Sequence, residues 1–249
     1  MSDGALGVGE LVELARARGV VPSVADHVTH DIARGIRSVA DATRYVEELE
    51  RYDVLRAGEF CWHDSLWREL PDSLVRRLSH RVGSLHGIFL PGGRVVHMFG
   101  RWSPGDAPPA SYMNAHVENL ERFAREMPVD ILAHPTLLPL AYRTRPLEEL
   151  WTEAYEERAV AALRDAGIAF ELSNRYRPHL RFVRRAVDAG VRIALGSDGH
   201  TREQVADLAW PLATARALGV RDDALYDPRV HGSRTGFHDA PSQPATWGS

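Results

Sequence analysis

Residues 191–200 read VRIALGSDGH, a short apolar run that ends in glycine, serine, aspartate, glycine and histidine. The run has the length and the β-branched content of a buried strand, and it predicts a strand over 191–195. Two residues that could bind a ligand, Asp198 and His200, come directly after it. This arrangement is typical of parallel α/β proteins, in which chemistry gathers at the carboxyl ends of the strands.

The same pattern recurs upstream, where stretches of helical periodicity alternate with short β-branched segments. That alternation predicts βα units and a parallel sheet. Besides 191–195, strands are predicted over 20–25, 54–57, 82–85, 129–133 and 168–172. Helices are predicted over 10–18, 41–49, 111–126, 147–165, 180–188 and 202–218.

Side chains of one chemical kind follow most of these predicted strands. They are imidazoles and carboxylates, namely His27, Glu59, His86, His134, Asp198 and His200. If the strand ends meet at one mouth, these donors converge and suit Zn²⁺, Mn²⁺ or Fe. Such ions lower the pKa of a bound water to about 7 and hold phosphate oxygens, which is what phosphate ester hydrolysis requires.

Composition narrows the possible classes of function further. The formal net charge is −4 and the pI is near 6.3, without the basic excess of a nucleic-acid-binding surface. Cys61 is the single cysteine, which excludes an internal disulfide and a thiolate-rich metal site and favours a reducing compartment. With no signal-peptide pattern and no membrane-length apolar run, we expect a cytoplasmic protein without a membrane or nucleic-acid partner.

Lysine does not occur in the chain, which excludes mechanisms that need a Schiff-base, Walker or carbamylated lysine. The length of 249 residues fits one large domain. We expect a barrel domain over 1–231 and a flexible tail over 232–249, where Gly, Ser, Pro and Thr accumulate.

A series of short motifs, taken in order, resembles the PHP (polymerase and histidinol phosphatase) domain family over residues 2 to 215. The matching pieces are Ser2-Asp3-Gly4, Glu10-Leu11-Val12, Ala25-Asp26-His27, Gly58-Glu59, Gly83-Ser84-Leu85-His86, Ala133-His134-Pro135, Glu171-Leu172-Ser173-Asn174 and Gly196-Ser197-Asp198-Gly199-His200.

The resemblance implies an α/β fold, a distorted (β/α)7 TIM-like barrel, with about two to three divalent ions at its mouth. By matching position, Glu59 would bridge two ions, one also held by His86 and His134 and the other by Asp198. A third ion would be held by His27 and His200. Asp3 stands where the family often has a further ligand. Glu59, Asp198 and His200 are the expected catalytic residues.

The sequence departs from the family at its start, because family members open with a strand that ends in His-x-His. This chain begins directly before Ser2, so the barrel would lack its first strand. We expect the upstream nucleotide sequence, read in frame, to encode that strand. True loss of the motif, with at most two ions, is the alternative.

Arg175 and Arg177 follow the strand over 168–172, and we expect their guanidinium groups to bind a substrate phosphate. Glu171 and Asn174 are expected to orient the loop or the ligands. Solvated loop positions are expected for His30 and His63, and a surface position for His116. No pattern supports a role for His97, His179, His231 or His238. The tryptophans Trp62, Trp67 and Trp102 are expected to pack the barrel rim, with Trp62 near the pocket.

These observations predict a metal-dependent phosphatase or phosphodiesterase that uses metal-activated hydroxide on a small phosphorylated metabolite. Histidinol phosphate is one candidate substrate among several. An amidohydrolase barrel would use similar ligands, but its common form needs a carbamylated lysine. The remaining alternative is a non-catalytic PHP-like domain that binds a phosphorylated effector or a protein partner. The oligomeric state is left open.

Overall fold

Six parallel strands form one curled sheet in the computed structural model, and their order across the sheet follows their order along the chain. The structure describes residues 4, 6–32, 35–100 and 108–233. The six strands are β1 (Ser23–Val28), β2 (Leu55–Cys61), β3 (His80–Ser84), β6 (Ile131–Leu132), β7 (Ala169–Ser173) and β8 (Ile193–Gly196). A separate antiparallel hairpin, β4 (Gly87–Phe89) and β5 (Val95–His97), is inserted after β3.

Helices connect the parallel strands, as the short βα units require. In chain order they are α1 (Val8–Ala17), α2 (Val39–Leu49), α3 (Leu66–Glu69), α4 (Asp72–Val75), α5 (Pro109–Glu126), α6 (Leu147–Leu150), α7 (Glu153–Ala166), α8 (Leu180–Asp188), α9 (Ala209–Ala217) and α10 (Pro228–His231). Local sequence sets their ends. The Ser38 hydroxyl accepts the Asp41 N–H at the start of α2, and Gly167 ends α7 in a left-handed conformation.

Alternate residues along each strand face the inside of the curled sheet. His27 pairs with Glu59, and Glu59 pairs with Val82, so these residues share one layer. The other positions that line the interior are mostly small, and they include Ser23, Ala25, Ala133, Ala194 and Gly196. Because small side chains do not fill the interior, a cavity of about 280 Å³ extends below the layer that holds Glu59.

The sheet is a half-barrel, since its two edge strands, β1 and β8, do not pair with each other within the described residues. Helix α1 lies along the opening, where Leu11 and Ala15 line the cavity. At the end of α1 the Arg18 guanidinium donates to the Val205 carbonyl at 2.5 Å and to the Glu203 carbonyl at 2.9 Å. These contacts join the start of the chain to the loop that follows β8.

The main core lies between the outer face of the sheet and the helices. Its largest buried side chains include Phe60, Trp67, Phe123 and Phe170. Burying a side chain of this size contributes roughly 1.5–3 kcal/mol. Trp62 belongs to this core rather than to the pocket, because its indole N–H donates to Asn119 on α5 at 2.9 Å.

Several sequence-based expectations need correction here. The α/β class and the TIM-like curl agree with the prediction, and the parallel sheet has six strands in the described residues, but it forms a half-barrel and not a closed barrel. The helix predicted over 147–165 is interrupted after Leu150, because Thr152 caps a new helix at Glu153. The stretch 202–218 is helical only over Ala209–Ala217, and the preceding residues form turns.

His116 is buried and not on the surface, since it packs against Tyr112 and Trp151. The predicted tail over 232–249 lies outside the described residues from 234 onward, as do Trp102 and His238. None of the helices in the described ranges combines the length and hydropathy that crossing a bilayer would need.

Candidate metal centre

Four neighbouring strands bring four donor side chains together at the mouth of the half-barrel. His27 and Glu59 lie within β1 and β2, one or two residues before the strands end, and His86 and His134 follow β3 and β6. Glu59 Oε1 lies 3.1 Å from His134 Nε2 and 3.4 Å from His86 Nε2. The other oxygen, Oε2, lies 3.1 Å from His27 Nδ1. Glu59 therefore faces imidazoles with both carboxylate oxygens.

The spacing of these donors suits a divalent ion. Donor atoms that lie 2.0–2.1 Å from a tetrahedral zinc ion are about 3.3 Å apart from one another. The Nε2 atoms of His86 and His134 are 3.1 Å apart, and their distances to Glu59 Oε1 are 3.1 and 3.4 Å. Glu59, His86 and His134, called the interior cluster below, could hold such an ion without a change of backbone.

Two side chains that the sequence did not single out hold the His86 ring. Its Nδ1 atom lies 3.3 Å from the Cys61 sulfur and 3.3 Å from the Ser84 hydroxyl. Burial raises the pKa of the Cys61 thiol, which keeps it neutral. With Nδ1 occupied on this side, Nε2 is the nitrogen that faces Glu59 and His134. Contacts of this kind fix the orientation of metal-binding imidazoles.

Glu171 holds the other histidine. Its Oε2 atom accepts the backbone N–H of His134 at 2.6 Å, and His134 adopts a left-handed φ of 32°. A Cβ atom at Gly196 would lie 1.9 Å from Glu171 Oε1, so only glycine leaves room for this carboxylate. Burial raises the pKa of Glu171 to about 7.

The backbone of the loop after β8 accounts for two of its residues, Asp198 and Gly199. Asp198 has a left-handed φ of 48°, which aspartate adopts more readily than most residues. A Cβ atom at Gly199 would lie 2.6 Å from the Val205 backbone, so glycine is required there as well. The loop is held by the Gln204 side chain, whose oxygen accepts the His200 N–H at 3.0 Å.

Asp198 and His200 lie next to each other in this loop, with His200 Nδ1 3.5 Å from Asp198 Oδ1. Asp198 borders the same cavity as Glu59, His134 and Glu171. Burial raises the pKa of Asp198, and His134 and His200 oppose that rise. The loop thus brings a further carboxylate beside the interior cluster.

The electrostatics of the interior cluster favour metal ligation. Burial would raise the pKa of Glu59, but His27, His86 and His134 outweigh it and hold that pKa well below its usual range. Burial, with the nearby His134 and His27 rings, lowers the pKa of His86 well below its usual value. Burial opposes a rise in the pKa of His134, yet the hydrogen bond and charge of Glu59 raise it. An anionic Glu59 and a neutral His86 are the forms that bind metal.

The two arginines predicted to bind substrate are placed differently. Arg175 contacts His200 Nδ1 and lies over the Tyr176 ring, 5.3 Å from its centre. Arg177 donates to the Asn174 carbonyl at 3.1 Å and lies over Trp210. A further guanidinium, that of Arg143, lies between the rings of Phe99 and Tyr176 at 5.0 and 5.7 Å. Sequence reasoning missed Arg143, which no strand-end pattern marks.

The structure thus brings His27, Glu59, His86 and His134 into contact and places Asp198 on the same cavity as Glu59 and His134. His200 lies beside Asp198, and Arg175 contacts His200. It turns Arg177 toward Asn174 and Trp210. Asp3, the remaining predicted ligand, lies outside the described residues.

Comparison with known proteins adds one result. The chain matches no protein-family model and no curated protein sequence. Among solved structures it is similar to the histidinol phosphate phosphatase of Lactococcus lactis subsp. lactis Il1403, which was crystallised with zinc, L-histidinol and phosphate. The TM-score is 0.61 with 13% identity, over 95% of this chain and 93% of the other. The similarity shows that the two proteins share a fold.

Proposed function

We propose that this chain is a metal-dependent phosphatase of the PHP type that acts on a small phosphorylated metabolite. The observation that carries the proposal is the interior cluster. Its donor atoms lie 3.1 to 3.4 Å apart, at the mouth of a half-barrel whose fold is that of a zinc-containing phosphatase. Ligand type supports it too, because imidazoles and a carboxylate without thiolates are typical of hydrolytic metal sites.

In this proposal Glu59, His86 and His134 hold one ion, and the second oxygen of Glu59, with His27, faces a neighbouring position. Asp198 and His200 complete the donor set from the loop after β8. Asp3 would join them as in the family. Divalent ions bound there would activate a water molecule and neutralise charge on the phosphate oxygens. We propose about two to three ions, with zinc as the first candidate.

The side chains of the protein contribute to the proposed reaction through their positions and charges. Glu59, Asp198 and His200 are assigned to catalysis because Glu59 and Asp198 border one cavity and His200 lies beside Asp198. Arg175, adjacent to His200, is assigned to the substrate phosphate, since a guanidinium can bind two phosphate oxygens at once. Arg177 is not needed for this role, because its guanidinium is already bound to Asn174.

The substrate is proposed to be a compact phosphate monoester. The cavity that borders Glu59, His134 and Asp198 measures about 280 Å³, just below the usual range for small-molecule sites, so it has room only for a small group. Rings of Phe99 and Tyr176, with the Arg143 guanidinium between them, stand beside His86 and His134 and would contact the part of the substrate beyond the phosphate. Histidinol phosphate, a small ring-bearing ester, belongs in the first substrate panel.

The test is release of inorganic phosphate from a panel of phosphorylated metabolites by protein stripped of metal and reloaded with Zn²⁺ or Mn²⁺. We expect metal-dependent turnover of at least one compact monoester, abolished by a chelator. Arg175→Ala should raise KM by roughly tenfold, the loss of one charge-assisted hydrogen bond, while the matched variant Arg177→Ala leaves KM unchanged.

A metal-loaded protein that binds phosphate esters but turns none of them over would overturn the proposal. That result would favour the alternative, a non-catalytic domain that binds a phosphorylated effector. Measuring bound metal and phosphate release on the same sample separates the two, because catalysis requires at least about two ions and releases phosphate, whereas an effector-binding domain holds one ion or none and releases no phosphate.

A further inference from the structure

A second group of ligand-type side chains lies on the rim of the half-barrel, outside the interior cluster. It consists of Asp31, His63 and His97, called the rim triad below. Asp31 lies in the loop after β1, His63 follows β2, and His97 ends β5 of the inserted hairpin. None of these residues belongs to a motif; His63 was expected in a solvated loop, and no pattern supported a role for His97. The structure instead brings them to one point.

The donor atoms of the rim triad are close enough to share an ion. Asp31 Oδ2 lies 2.5 Å from His63 Nε2 and 3.7 Å from His97 Nδ1. The three donor atoms all lie within 4.8 Å of one another. The two imidazole rings are perpendicular, with centres 4.9 Å apart, so they are not stacked against each other. Small side-chain rotations would bring all three donors to the separation of about 3.3 Å that a tetrahedral ion requires.

The position of His63 shows that this site is built and not a chance encounter on the surface. Its side chain is only 5% exposed. Its second nitrogen, Nδ1, is buried without a hydrogen-bond partner among the described residues. The other nitrogen, Nε2, faces Asp31, so the buried ring is held with one nitrogen turned into the triad.

Gly87 makes the position possible. It pairs with His97 across the β4–β5 hairpin, and a Cβ atom at Gly87 would lie 2.5 Å from the Cγ atom of His63. Any larger residue would therefore push the His63 ring out of the triad. Asp31 and His97 are about half exposed, at 46% and 47%, so the outer side of the triad is open to water.

The donor set selects the kind of ion. Two imidazoles and one carboxylate with an open side suit Zn²⁺ and its borderline neighbours, whereas Mg²⁺ and Ca²⁺ prefer oxygen donors throughout. We propose that the rim triad binds one divalent ion of the zinc class, separate from the ions of the interior cluster. Water completes its coordination on the exposed side.

The ion would tie the β4–β5 hairpin to the loop after β1. That link matters for the interior cluster, because the residue after His97 is Met98, whose N–H donates to the His86 carbonyl at 2.8 Å. The next residue, Phe99, places its ring 5.6 Å from that of His86. The rim ion is thus a structural clamp beside the interior cluster, and its binding does not depend on phosphatase activity.

The test is zinc stoichiometry. Full-length protein is equilibrated with buffered zinc, separated from free metal, and analysed for bound zinc per chain. We expect His97→Ala and Asp31→Asn each to hold one zinc fewer than the unmodified protein. The matched control is His30→Ala, which removes a similarly exposed histidine that contacts Glu69 and lies outside the triad. It should retain the full complement.

Equal zinc content in His97→Ala, Asp31→Asn and the unmodified protein would overturn the proposal. So would an equal loss in His30→Ala, because that would indicate binding by exposed histidines in general. Circular dichroism checks folding, and Asp31→Asn, which changes one exposed oxygen to an amide, decides the matter if His97→Ala is unstable. Cobalt substitution gives a second readout, since the visible absorption of bound Co²⁺ should fall in both variants and not in the control.

Discussion

The interior cluster and the rim triad contain the same kinds of side chain, yet the fold builds them in different ways. Strand register fixes the positions of His27 and Glu59, because His27 pairs with Glu59 and Glu59 pairs with Val82. The rim triad depends on a loop and on a hairpin that folds back over β3. Strands hold the first group inside the half-barrel, whereas the second lies where solvent reaches it.

The two groups differ in how far the sequence alone can reveal them. Residues at the ends of parallel strands converge whatever the sequence between them, so their spacing along the chain carries information. Residues on a loop and a hairpin converge only if the hairpin closes in one register. Their geometry is therefore visible only in three dimensions, although their chemistry is equally suited to a metal.

The largest expected effect comes from Glu59→Gln, which keeps the shape of the side chain and removes its charge. Glu59 faces all three neighbouring imidazoles, so we expect the interior ions to bind at least about 100-fold more weakly and phosphate release to disappear. The rim zinc should remain. Bound zinc per chain and phosphate release are measured on the same preparation.

His97→Ala is the complementary variant, because it should lose the rim zinc and keep the interior ions. The two variants together test whether the centres are independent. Loss of all zinc from Glu59→Gln would show that they are one coupled site, and unchanged turnover in that variant would remove Glu59 from the proposed chemistry.

A smaller effect is expected from Gly196→Ala, which reaches the interior cluster through a positioning residue. The new Cβ would meet Glu171 Oε1 at 1.9 Å, so the carboxylate must move away from the His134 N–H. We expect roughly tenfold weaker binding of interior zinc, together with a loss of about 1–3 kcal/mol in the free energy of unfolding.

Competition with a zinc indicator and urea unfolding measure the two quantities. Gly9→Ala in α1 is the matched control, since the nearest atom to its new Cβ is 3.4 Å away. Alanine there should leave zinc affinity unchanged and raise stability by about 0.5–1 kcal/mol. If Gly196→Ala binds zinc as tightly as the unmodified protein, Glu171 does not position His134.

Much of the fold was accessible from the sequence, because hydrophobic periodicity and strand-end motifs report local structure directly. The six strands of the sheet lie within three residues of their predicted starts. Their chain order also fixes which ends converge, which is why Glu59, His86 and His134 could be chosen together. The similarity to a solved phosphatase supports the same architecture.

Other features depend on packing that periodicity does not encode. The break after Leu150 and the short β4–β5 hairpin have weak local signals, and the roles of Cys61 and Ser84 arise only because β2 and β3 are neighbours. The most instructive case is a histidine that local pattern placed on the surface. His116 occupies a helix face, and its burial follows from the position of Trp151 in the folded chain.

The last prediction concerns His116, a histidine that is buried without a carboxylate partner among the described residues. Burial lowers the pKa of His116 to about 3, from an ordinary value of 6.5. Between those values the unfolded chain binds a proton that the folded chain does not, so stability falls as pH falls from 6.5 toward 3. In metal-stripped protein, His116→Phe should reduce the slope of unfolding free energy against pH by up to about 1.4 kcal/mol per pH unit in that window. Urea unfolding at several pH values measures it. If unfolding free energy changes with pH in the same way in His116→Phe and in the unmodified protein, His116 becomes protonated in the folded state. Burial alone would then not separate a packed histidine from a metal ligand.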